Sequence, residues 1–530
     1  MAKRLLFSLL IFFSLLYNVK SAEAFYPEVA FFSQTDENYF YHTIERGQTV
    51  FSIAKMYHIT VDEIYRLNPG TQEGIRADDK LKIPQESGSY IYHTILPKET
   101  LYSLSKRYYM TGDDIIAANP GLSVETFTIG RIIRIPTNLV TEPIQGGNEA
   151  LNQHITNSLL DKIEPFEKAS KLRLALLLPF GTKNGANSEN LARNRRYVEY
   201  LEGFLLAVRE MKQRGLTIDL KIYDTGSQTT ELLTLVRNNS LQNTDLLIGG
   251  VTDAQIKILS QYSKDHNIPY VIPITSSSDA VLDNSKVFQI NTPHSYVYSK
   301  ASLAFINRYR TDHIILVKDH TASKRTDFIQ QLEDDLKRNN ITYTTIQLNN
   351  EKFTEDIRSS LDGTRNNVII PADDSSETLS KLFTPLKLLQ TTNSDIRISL
   401  FGYPLWQTFV ADFSEDFFNL NTTFYSFFYA NPTSLELKAF YNTFYNWYSH
   451  DLINLSPKYG VLGYDTGKYF MELIYRYGKN FEPYVNDLNF KGIQTDFKFD
   501  RVNNWSGFIN TNLYLVEFMP DYTISRTIIH

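Results

Sequence analysis

The side chains that could perform catalysis in this chain form none of the common short catalytic motifs. The sequence has no cysteine, and its ten histidines include no HxH or HExxH pair. It has no GxSxG, and GYDTGK at residues 463–468 is one residue short of a phosphate-binding loop. These absences exclude cysteine and zinc endopeptidases and α/β-hydrolases, and no metal or cofactor is expected. A glycosidase using a carboxylate pair stays open, because the 59 acidic residues always offer pairs.

Polar residues of another kind recur in a stretch that the chain carries twice. Residues 41–70 read YHTIERGQTVFSIAKMYHITVDEIYRLNPG, and residues 92–121 read YHTILPKETLYSLSKRYYMTGDDIIAANPG. Of the 30 aligned positions, 14 are identical. Each copy offers hydroxyl, amide and backbone groups in its loops, which suit a neutral ligand rather than a charged one.

Each copy predicts the order strand, helix, helix, strand. Thr49 and Thr100 are expected to cap the first helix of their copies, and Thr60 opens the second helix of the first copy. The second helix stops at NPG, because proline disfavours helix in the residue before it and glycine permits a reversal. A short apolar stretch, KLKIP in the first copy and RIIRIP in the second, gives the closing strand.

Both copies resemble the LysM domain, through GQTVFSIA, NPG and LKIP in the first copy and their counterparts in the second. The resemblance implies a βααβ module that binds polymers of N-acetylglucosamine, namely peptidoglycan or chitin. It also implies a groove between the loop before the first helix and the loop after the second. These loops are Gly47, Gln48, Thr49, Asn68, Pro69 and Gly70 in the first copy and Lys98, Glu99, Thr100, Asn119, Pro120 and Gly121 in the second.

The threonines and asparagines of these loops also fit capping and turn chemistry alone, and both roles can hold together. Two weak modules on a short tether gain affinity, by ~10²–10⁴-fold, if both engage one glycan. The copies are unequal, since Lys98 replaces the loop glycine in the second. The first copy reads ADDK where the family has a glycine before its last strand.

The start of the chain is typical of a secretory signal peptide. Lys3 and Arg4 precede an apolar run over residues 5–16, which is too short to span a bilayer, and cleavage is expected after Ala24. The absence of cysteine also predicts that the exported protein carries no lipid on an N-terminal cysteine. A net charge of −6 without a basic patch argues against nucleic acid as a partner. No membrane span is expected after cleavage.

From residue 172 onward, short apolar runs alternate with amphipathic helical stretches, which predicts parallel sheets in two linked lobes. The strand candidates are LRLALLLPF, LTIDLKIYD, TDLLIGG, PYVIPI, HIILVKD, YTTIQL, NVIIPAD and RISLFGY. The region resembles the type I periplasmic binding proteins, in particular the amino-acid-binding branch. The resemblance rests on ALLLPF, EGFLLAVREM, LLIGGVTDAQ, NIPYVIPITSSSDAV, VFQINTPHSYVYSKA and YGVLGYDTGKYF.

The sequence therefore predicts an α/β protein with two small βααβ modules followed by a two-lobed α/β domain like that of periplasmic binding proteins. The expected divisions are a signal peptide over 1–24, LysM domains over 40–85 and 91–137, a linker over 138–170 and the two-lobed domain over 171–530.

The second resemblance implies that the two lobes close around a small ligand held by loops at the carboxyl ends of strands. It places the contacts of the first lobe at Thr252, Asp253, Thr275 and Ser276. Ser277, Ser278 and Asp279 would grip a carboxylate or only cap a helix. In the second lobe, Tyr403 and Trp406 stand near the position where the family has an acidic residue, and Asp373 or Asp374 is expected to substitute.

Three functions follow from these patterns. The first is an exported, periplasmic or cell-wall-associated, non-enzymatic peptidoglycan-binding protein whose two-lobed domain senses or captures a small ligand, such as an amino acid or a muropeptide. The second is a scaffold or regulator that has a cell-wall synthesis protein as its partner and no small ligand, as in penicillin-binding-protein activators of this fold. The third and least favoured is a peptidoglycan hydrolase.

Overall fold

The computed structural model describes most of the chain from residue 39 onward. The described residues are 39–45, 48–108, 110–123, 126–137, 171–181, 188–276, 278–293, 295–319, 325–348, 352–392 and 395–529. The signal peptide predicted over 1–24 and the linker predicted over 138–170 lie outside them. Within the described residues, no helix is both long and apolar enough to cross a bilayer.

Each repeat folds as strand, helix, helix, strand, as its sequence predicts. The first module consists of β1 (Tyr39–Thr43), α1 (Val50–Met56), α2 (Val61–Leu67) and β2 (Lys80–Pro84). The second consists of β4 (Tyr90–Thr94), α3 (Leu101–Arg107), α4 (Gly112–Ala118) and β5 (Ile132–Pro136), with the two-residue strand β3 (Glu86–Ser87) beside β4. In each module the first and last strands pair antiparallel.

Threonine caps begin the helices of both modules. The hydroxyls of Thr49 and Thr100 accept hydrogen bonds from the backbone N–H three residues on, and each also forms a reciprocal capping box with a serine at that position. Thr60 and Thr111 cap the second helices in the same way. A capped N-terminus contributes about 1 kcal/mol per helix, which matters for helices as short as these.

The backbone keeps a left-handed turn before the last strand of each module, whichever residue stands there. Asp78 in the first module and Gly130 in the second are aligned, and their φ angles are +72° and +87°. Lys98 has a φ of +69° at the position where the first module has Gly47. Because this conformation disfavours side chains other than glycine, the fold tolerates strain at two positions where the repeat lacks its glycine.

All eight predicted strands are present, and they divide between two seven-stranded sheets. The first sheet has the order β16-β17-β10-β9-β8-β6-β7, with strands β6 (Lys171–Leu178), β7 (Thr217–Asp224), β8 (Leu246–Gly249), β9 (Tyr270–Ile272), β10 (Val287–Gln289), β16 (Phe499–Arg501) and β17 (Phe508–Asn510). The second has the order β12-β11-β13-β14-β15-β18-β19, with strands β11 (His313–Lys318), β12 (Tyr343–Gln347), β13 (Asn366–Pro371), β14 (Arg397–Gly402), β15 (Thr423–Ser426), β18 (Tyr514–Phe518) and β19 (Ile524–Ile528).

The first five strands of each lobe share one topology. In both sheets they are parallel and lie in the order 2-1-3-4-5, with the first strand between the second and the third. Such a sheet has a switch point between its first and third strands, where loops at the carboxyl ends of the strands diverge. After β15 the chain returns to the first sheet for β16 and β17, and it ends in the second sheet.

Helices cover both sheets. Those of the two-lobed domain are α5 (Ser188–Gln213), α6 (Thr230–Arg237), α7 (Asp253–His266), α8 (Ala280–Asp283), α9 (Ser295–Tyr309), α10 (Thr326–Arg338), α11 (Phe353–Ser360), α12 (Ser376–Thr392), α13 (Val410–Asn419), α14 (Leu435–Tyr448) and α15 (Tyr459–Tyr477). Short 3₁₀ turns occupy Thr71–Glu73, Pro404–Phe409 and Glu482–Tyr484. One continuous hydrophobic core includes residues of both lobes, such as Leu174, Leu316 and Phe518.

The two modules lie against the first lobe. Trp505, in the loop between β16 and β17, is 3% exposed and belongs to the hydrophobic core of the first module. Helix α8 of the first lobe contacts α1 of the first module. The front modules and the two-lobed domain therefore share a packed interface in this structure.

Candidate functional site

The groove predicted for the first module is open to solvent where the structure describes it. Thr49, Pro69 and Gly70 are exposed, and a Cβ atom placed on Gly70 would meet nothing within 4 Å. Gly47 lies outside the described residues. The Thr49 hydroxyl already accepts a hydrogen bond from the Ser52 N–H at 3.0 Å. The exposed hydroxyl and backbone groups of these loops remain accessible to a neutral sugar.

A buried histidine positions the loop before the first helix in the first module. His42 is 5% exposed, and its ring nitrogens contact the Tyr57 hydroxyl at 2.8 Å and the Gln48 Oε1 at 2.6 Å. Burial lowers the pKa of His42, so the ring stays neutral. The Gln48 Oε1 also accepts a hydrogen bond from the Glu45 N–H. Gln48, predicted to bind glycan, is buried and uses this atom to hold the loop.

The second module repeats this arrangement with a carboxylate. His93 contacts the Glu99 Oε2 at 2.7 Å and the Tyr108 hydroxyl at 2.9 Å. Burial lowers the pKa of His93. Burial alone would raise the pKa of Glu99, but hydrogen bonds from the Leu96 N–H and from His93 hold it below its ordinary value. Both histidines are buried and hydrogen-bonded within their modules.

Asn68 and Asn119 join the end of the second helix to the last strand of their modules. The Nδ2 of Asn119 donates to the carbonyls of Ile115 and Arg134, both at 2.7 Å, and its Oδ1 accepts from the Arg134 N–H at 2.9 Å. Asn68 makes the same three bonds with Ile64 and Lys82. Asn119 is fully buried, so its side chain is part of the fold and does not reach the groove.

The remaining loop residues of the second module differ in exposure. Lys98 and Thr100 are exposed, and Glu99 is half-buried. Pro120 and Gly121 are half-buried, because the loop of the first lobe that contains Asn504 lies against them. The two grooves are therefore not equivalent in this structure.

The residues predicted to hold a small ligand follow equivalent strands in the two lobes. Thr252 and Thr275 follow β8 and β9, the third and fourth strands of the first lobe, and Asp373 and Tyr403 follow β13 and β14, the third and fourth strands of the second. All four positions are at carboxyl ends of parallel strands, where open α/β sheets bind their ligands.

In the first lobe, part of this set is accessible. Thr252 caps α7 by accepting from the Gln255 N–H at 3.3 Å, and the neighbouring Asp253 is exposed. Thr275 and Ser276 are half-buried. Helix α8, expected to begin in this loop, is only four residues long, and the Ser278 hydroxyl accepts from the Ala280 N–H at 3.2 Å. Ser277 lies outside the described residues.

In the second lobe, Asp373 and Tyr403 form hydrogen bonds within the protein. Asp373 accepts hydrogen bonds from Ser375 and from Thr378, the latter at 2.8 Å. Tyr403 is fully buried and its hydroxyl donates to the Pro371 carbonyl at 2.5 Å. Trp406, also fully buried, packs edge-on against the ring of Tyr403.

Arg325 is a residue of this region that the sequence analysis missed. Its Nε donates to the Asp374 Oδ2 at 2.8 Å, and Asp374 is 2% exposed. This ion pair neutralises Asp374, one of the two carboxylates expected to substitute for the acidic residue of the family. No local sequence pattern predicts this ion pair, because Arg325 and Asp374 are 49 positions apart.

Comparison with known families identifies the larger part of the chain. Residues 200–505 match the family described as the receptor family ligand binding region. The chain belongs to this family. Residues 42–84 and 93–136 each match the LysM domain. The protein thus carries two LysM domains followed by a receptor-family domain of two α/β lobes, as the sequence predicts.

Similarity to single proteins is more limited. The chain is 32% identical over 98 residues to "Putative sporulation-specific glycosylase YdhD" of Bacillus subtilis (strain 168), which covers 18% of this chain and 22% of that protein. The chain therefore spans less than a quarter of the length of this curated relative.

Solved structures resemble the receptor-family domain at low identity. One is an ABC transporter substrate-binding protein from Desulfitobacterium hafniense in complex with Leu, with 15% identity and a TM-score of 0.41 over 67% of this chain and 99% of that chain. Another is a branched chain amino acid ABC transporter periplasmic ligand-binding protein from Burkholderia xenovorans LB400, with 11% identity and a TM-score of 0.42 over 68% and 94%. Likenesses at this level identify no ligand for this chain.

Proposed function

We propose that this protein is exported, lies at the cell wall, and binds peptidoglycan or another N-acetylglucosamine polymer through its LysM domains without catalysis. The observation that carries the proposal is the duplicated LysM domain, whose first groove presents Thr49, Pro69 and Gly70 to solvent. Both matched families are binding families. Cleavage of peptidoglycan in a zymogram would overturn the non-enzymatic part of the proposal.

The chemistry of the first groove suits a neutral sugar polymer. Its described loops offer backbone groups and one hydroxyl, with the side chains of Gln48 and Asn68 used to hold the loops in place. A rigid loop loses little conformational entropy on binding, which favours even a weak contact. Pro69 and Gly70 form the exposed tip of the loop after α2.

A pull-down with insoluble peptidoglycan tests the front domains. Pro69→Glu places a bulky charge on the exposed loop of the first groove, and we expect retention of the full chain to fall about tenfold or more, because the carboxylate would lose hydration against a bound neutral sugar. Pro432→Glu, at an exposed proline of the receptor-family domain, is the matched control and should bind like the wild type. Equal retention of both variants would contradict the assignment of the first groove.

We further propose that the receptor-family domain captures a small ligand, such as an amino acid or a muropeptide, between its lobes. The support is the shared 2-1-3-4-5 order, which directs the loops after β8 and β9 and those after β13 and β14 to carboxyl edges of their sheets. The half-buried Thr252, Thr275 and Ser276 would contact the ligand from the first lobe.

A scaffold or regulator of cell-wall synthesis, with a protein partner and no small ligand, is the second candidate. The observation that favours it is the internal use of polar groups in the second lobe. Asp374 is paired with Arg325, and Tyr403 donates to a backbone carbonyl within the core. With Asp374 and the Tyr403 hydroxyl engaged in this way, the second lobe offers less to a free amino acid.

Thermal unfolding of the full chain with amino acids and muropeptides separates these two candidates. A ligand present at 100 times its dissociation constant stabilises the native state by about 2.7 kcal/mol, which raises the midpoint on the order of 5 °C. We expect such a rise for one class of compound. Thr252→Val should abolish it if the first lobe contacts the ligand, and an unchanged midpoint across the panel would favour the scaffold.

A further inference from the structure

The two equivalent glycines of the LysM loops have different surroundings. Gly70 ends the first NPG, and no atom lies within 4 Å of a Cβ placed there. Gly121 ends the second, and its N–H donates to the backbone carbonyl of Asn504 at 2.6 Å. A Cβ on Gly121 would lie 2.9 Å from that oxygen and 2.8 Å from the Arg501 Cδ. One groove loop is thus open and the other is covered by the first lobe.

The covering segment, residues 503–505, is held on both sides. Asn504 also donates from Nδ2 to the Ile132 carbonyl of the second LysM domain, at 3.3 Å. The Trp505 ring lies 5.8 Å from the ring of Tyr92 and 4.7 Å from the guanidinium of Arg134. The segment therefore presents an amide to the second module, and its aromatic ring packs between Tyr92 of the second module and Tyr57 of the first, 6.2 Å from the latter.

Near residues 503–505, the Asp283 carboxylate of the first lobe also contacts both LysM domains. The Asp283 carboxylate lies 3.3 Å from His58 and 3.6 Å from Arg134, one from each LysM domain, and 3.3 Å from Lys264 of its own lobe. Burial favours the neutral acid, but the hydrogen bond from His58 and the charges of Lys264 and Arg134 lower the pKa of Asp283 to about 2. The contribution of the Asp283 carboxylate to the stability of this interface is present above pH ~4 and is lost only as the pH falls towards 2.

Several polar atoms buried at this interface have no hydrogen-bond partner among the described residues. They are the Tyr92 hydroxyl, the Trp505 Nε1 and the Asn503 Nδ2. Each such group costs about 1–3 kcal/mol relative to a satisfied one. The interface is consequently less favourable than its buried rings suggest, and a ligand that offers better partners can compete with it.

The geometry points to residues 503–505 as an intramolecular occupant of the second LysM groove, which an N-acetylglucosamine polymer displaces. The inference rests on the proposed glycan binding. The Asn504 carbonyl meets the Gly121 N–H as the acetamido carbonyl of such a sugar would. In the docked state the NPG loop is open only in the first module, and release opens it in the second as well, which can raise avidity by about 10²–10⁴-fold.

Trp505→Ala tests this in the full chain, with Trp447→Ala as the matched control, because Trp447 is 53% exposed on α14. Hydrogen exchange of the peptide that contains Gly121 reports release without any glycan. Calorimetric titration with an N-acetylglucosamine hexamer reports the number of tight sites. We expect about one per chain in the wild type, where hexamer at the second site must first displace residues 503–505, and about two in Trp505→Ala. Asp283→Asn creates no cavity. It should also speed hydrogen exchange at Gly121 and increase the number of tight hexamer sites.

The outcomes separate the inference from the proposed function. Faster exchange at Gly121 together with a second hexamer site supports the inference. A wild type that binds hexamer, with no gain of sites in Trp505→Ala or Asp283→Asn, overturns the inference and leaves the proposed function standing. If no variant binds hexamer or sacculi, the proposed function itself is wrong.

Discussion

Replacing Gly463 by alanine should strongly destabilise the two-lobed domain. Helices α5 and α15 cross at glycines, and a Cβ on Gly463 would lie 1.9 Å from the Tyr200 carbonyl oxygen. Carbon–oxygen contacts normally lie at about 3.3 Å or more, so the helices would have to separate. Because both are packed into the core, we expect a loss of about 3 kcal/mol or more in the free energy of unfolding.

Gly363→Ala is the matched control for this substitution. A Cβ on Gly363 meets nothing within 4 Å and its backbone is not in the left-handed region, so alanine should be neutral or slightly stabilising, within about 1 kcal/mol. Urea unfolding followed by far-ultraviolet circular dichroism measures both variants. A Gly463→Ala protein as stable as Gly363→Ala would show that the two helices are farther apart than described.

Replacing Asn119 by alanine should selectively destabilise the second LysM domain. The substitution removes three hydrogen bonds and leaves buried backbone groups of Ile115 and Arg134 without partners. Unsatisfied buried groups cost about 1–3 kcal/mol each, so we expect a loss of about 2–4 kcal/mol. Hydrogen exchange of peptides within residues 101–136, compared with those of the first domain, measures this loss.

Asn68→Ala provides the internal comparison. Asn68 makes the same bonds but is only half-buried, so water can replace part of what is lost and the effect should be smaller. Exchange in the second domain that is unchanged by Asn119→Ala would refute the structural role. If the prediction holds, weaker peptidoglycan retention by either alanine variant reflects unfolding, and Pro69→Glu is the better test of the groove.

Much of the architecture was predictable because it is encoded locally. The repeat, its threonine caps and its NPG stops specify the βααβ order, since caps and breakers act within one helical turn. Apolar runs alternating with helical stretches gave all eight predicted strands and the two lobes. Both resemblances were confirmed by the matched families.

The placement of single site residues was less predictable. Gln48 and Asn119 were expected in the groove because they lie in its loops. In the structure, however, both side chains are buried. Tyr403 followed the expected strand, but it packs in the core. Loop position follows from sequence, whereas the direction and partners of a side chain depend on what packs against it.

The sequence by itself determined the two kinds of domain, their order and the strands of each lobe, because helix caps, turn residues and hydrophobic periodicity act over short distances along the chain. Only the tertiary structure decided that Arg325 neutralises Asp374 and that Asn504 contacts the loop after the second helix in only one of the two modules. Asn504 is 383 positions from Gly121, and no local pattern carries information over such a separation. Contacts of this kind arise when finished elements pack together.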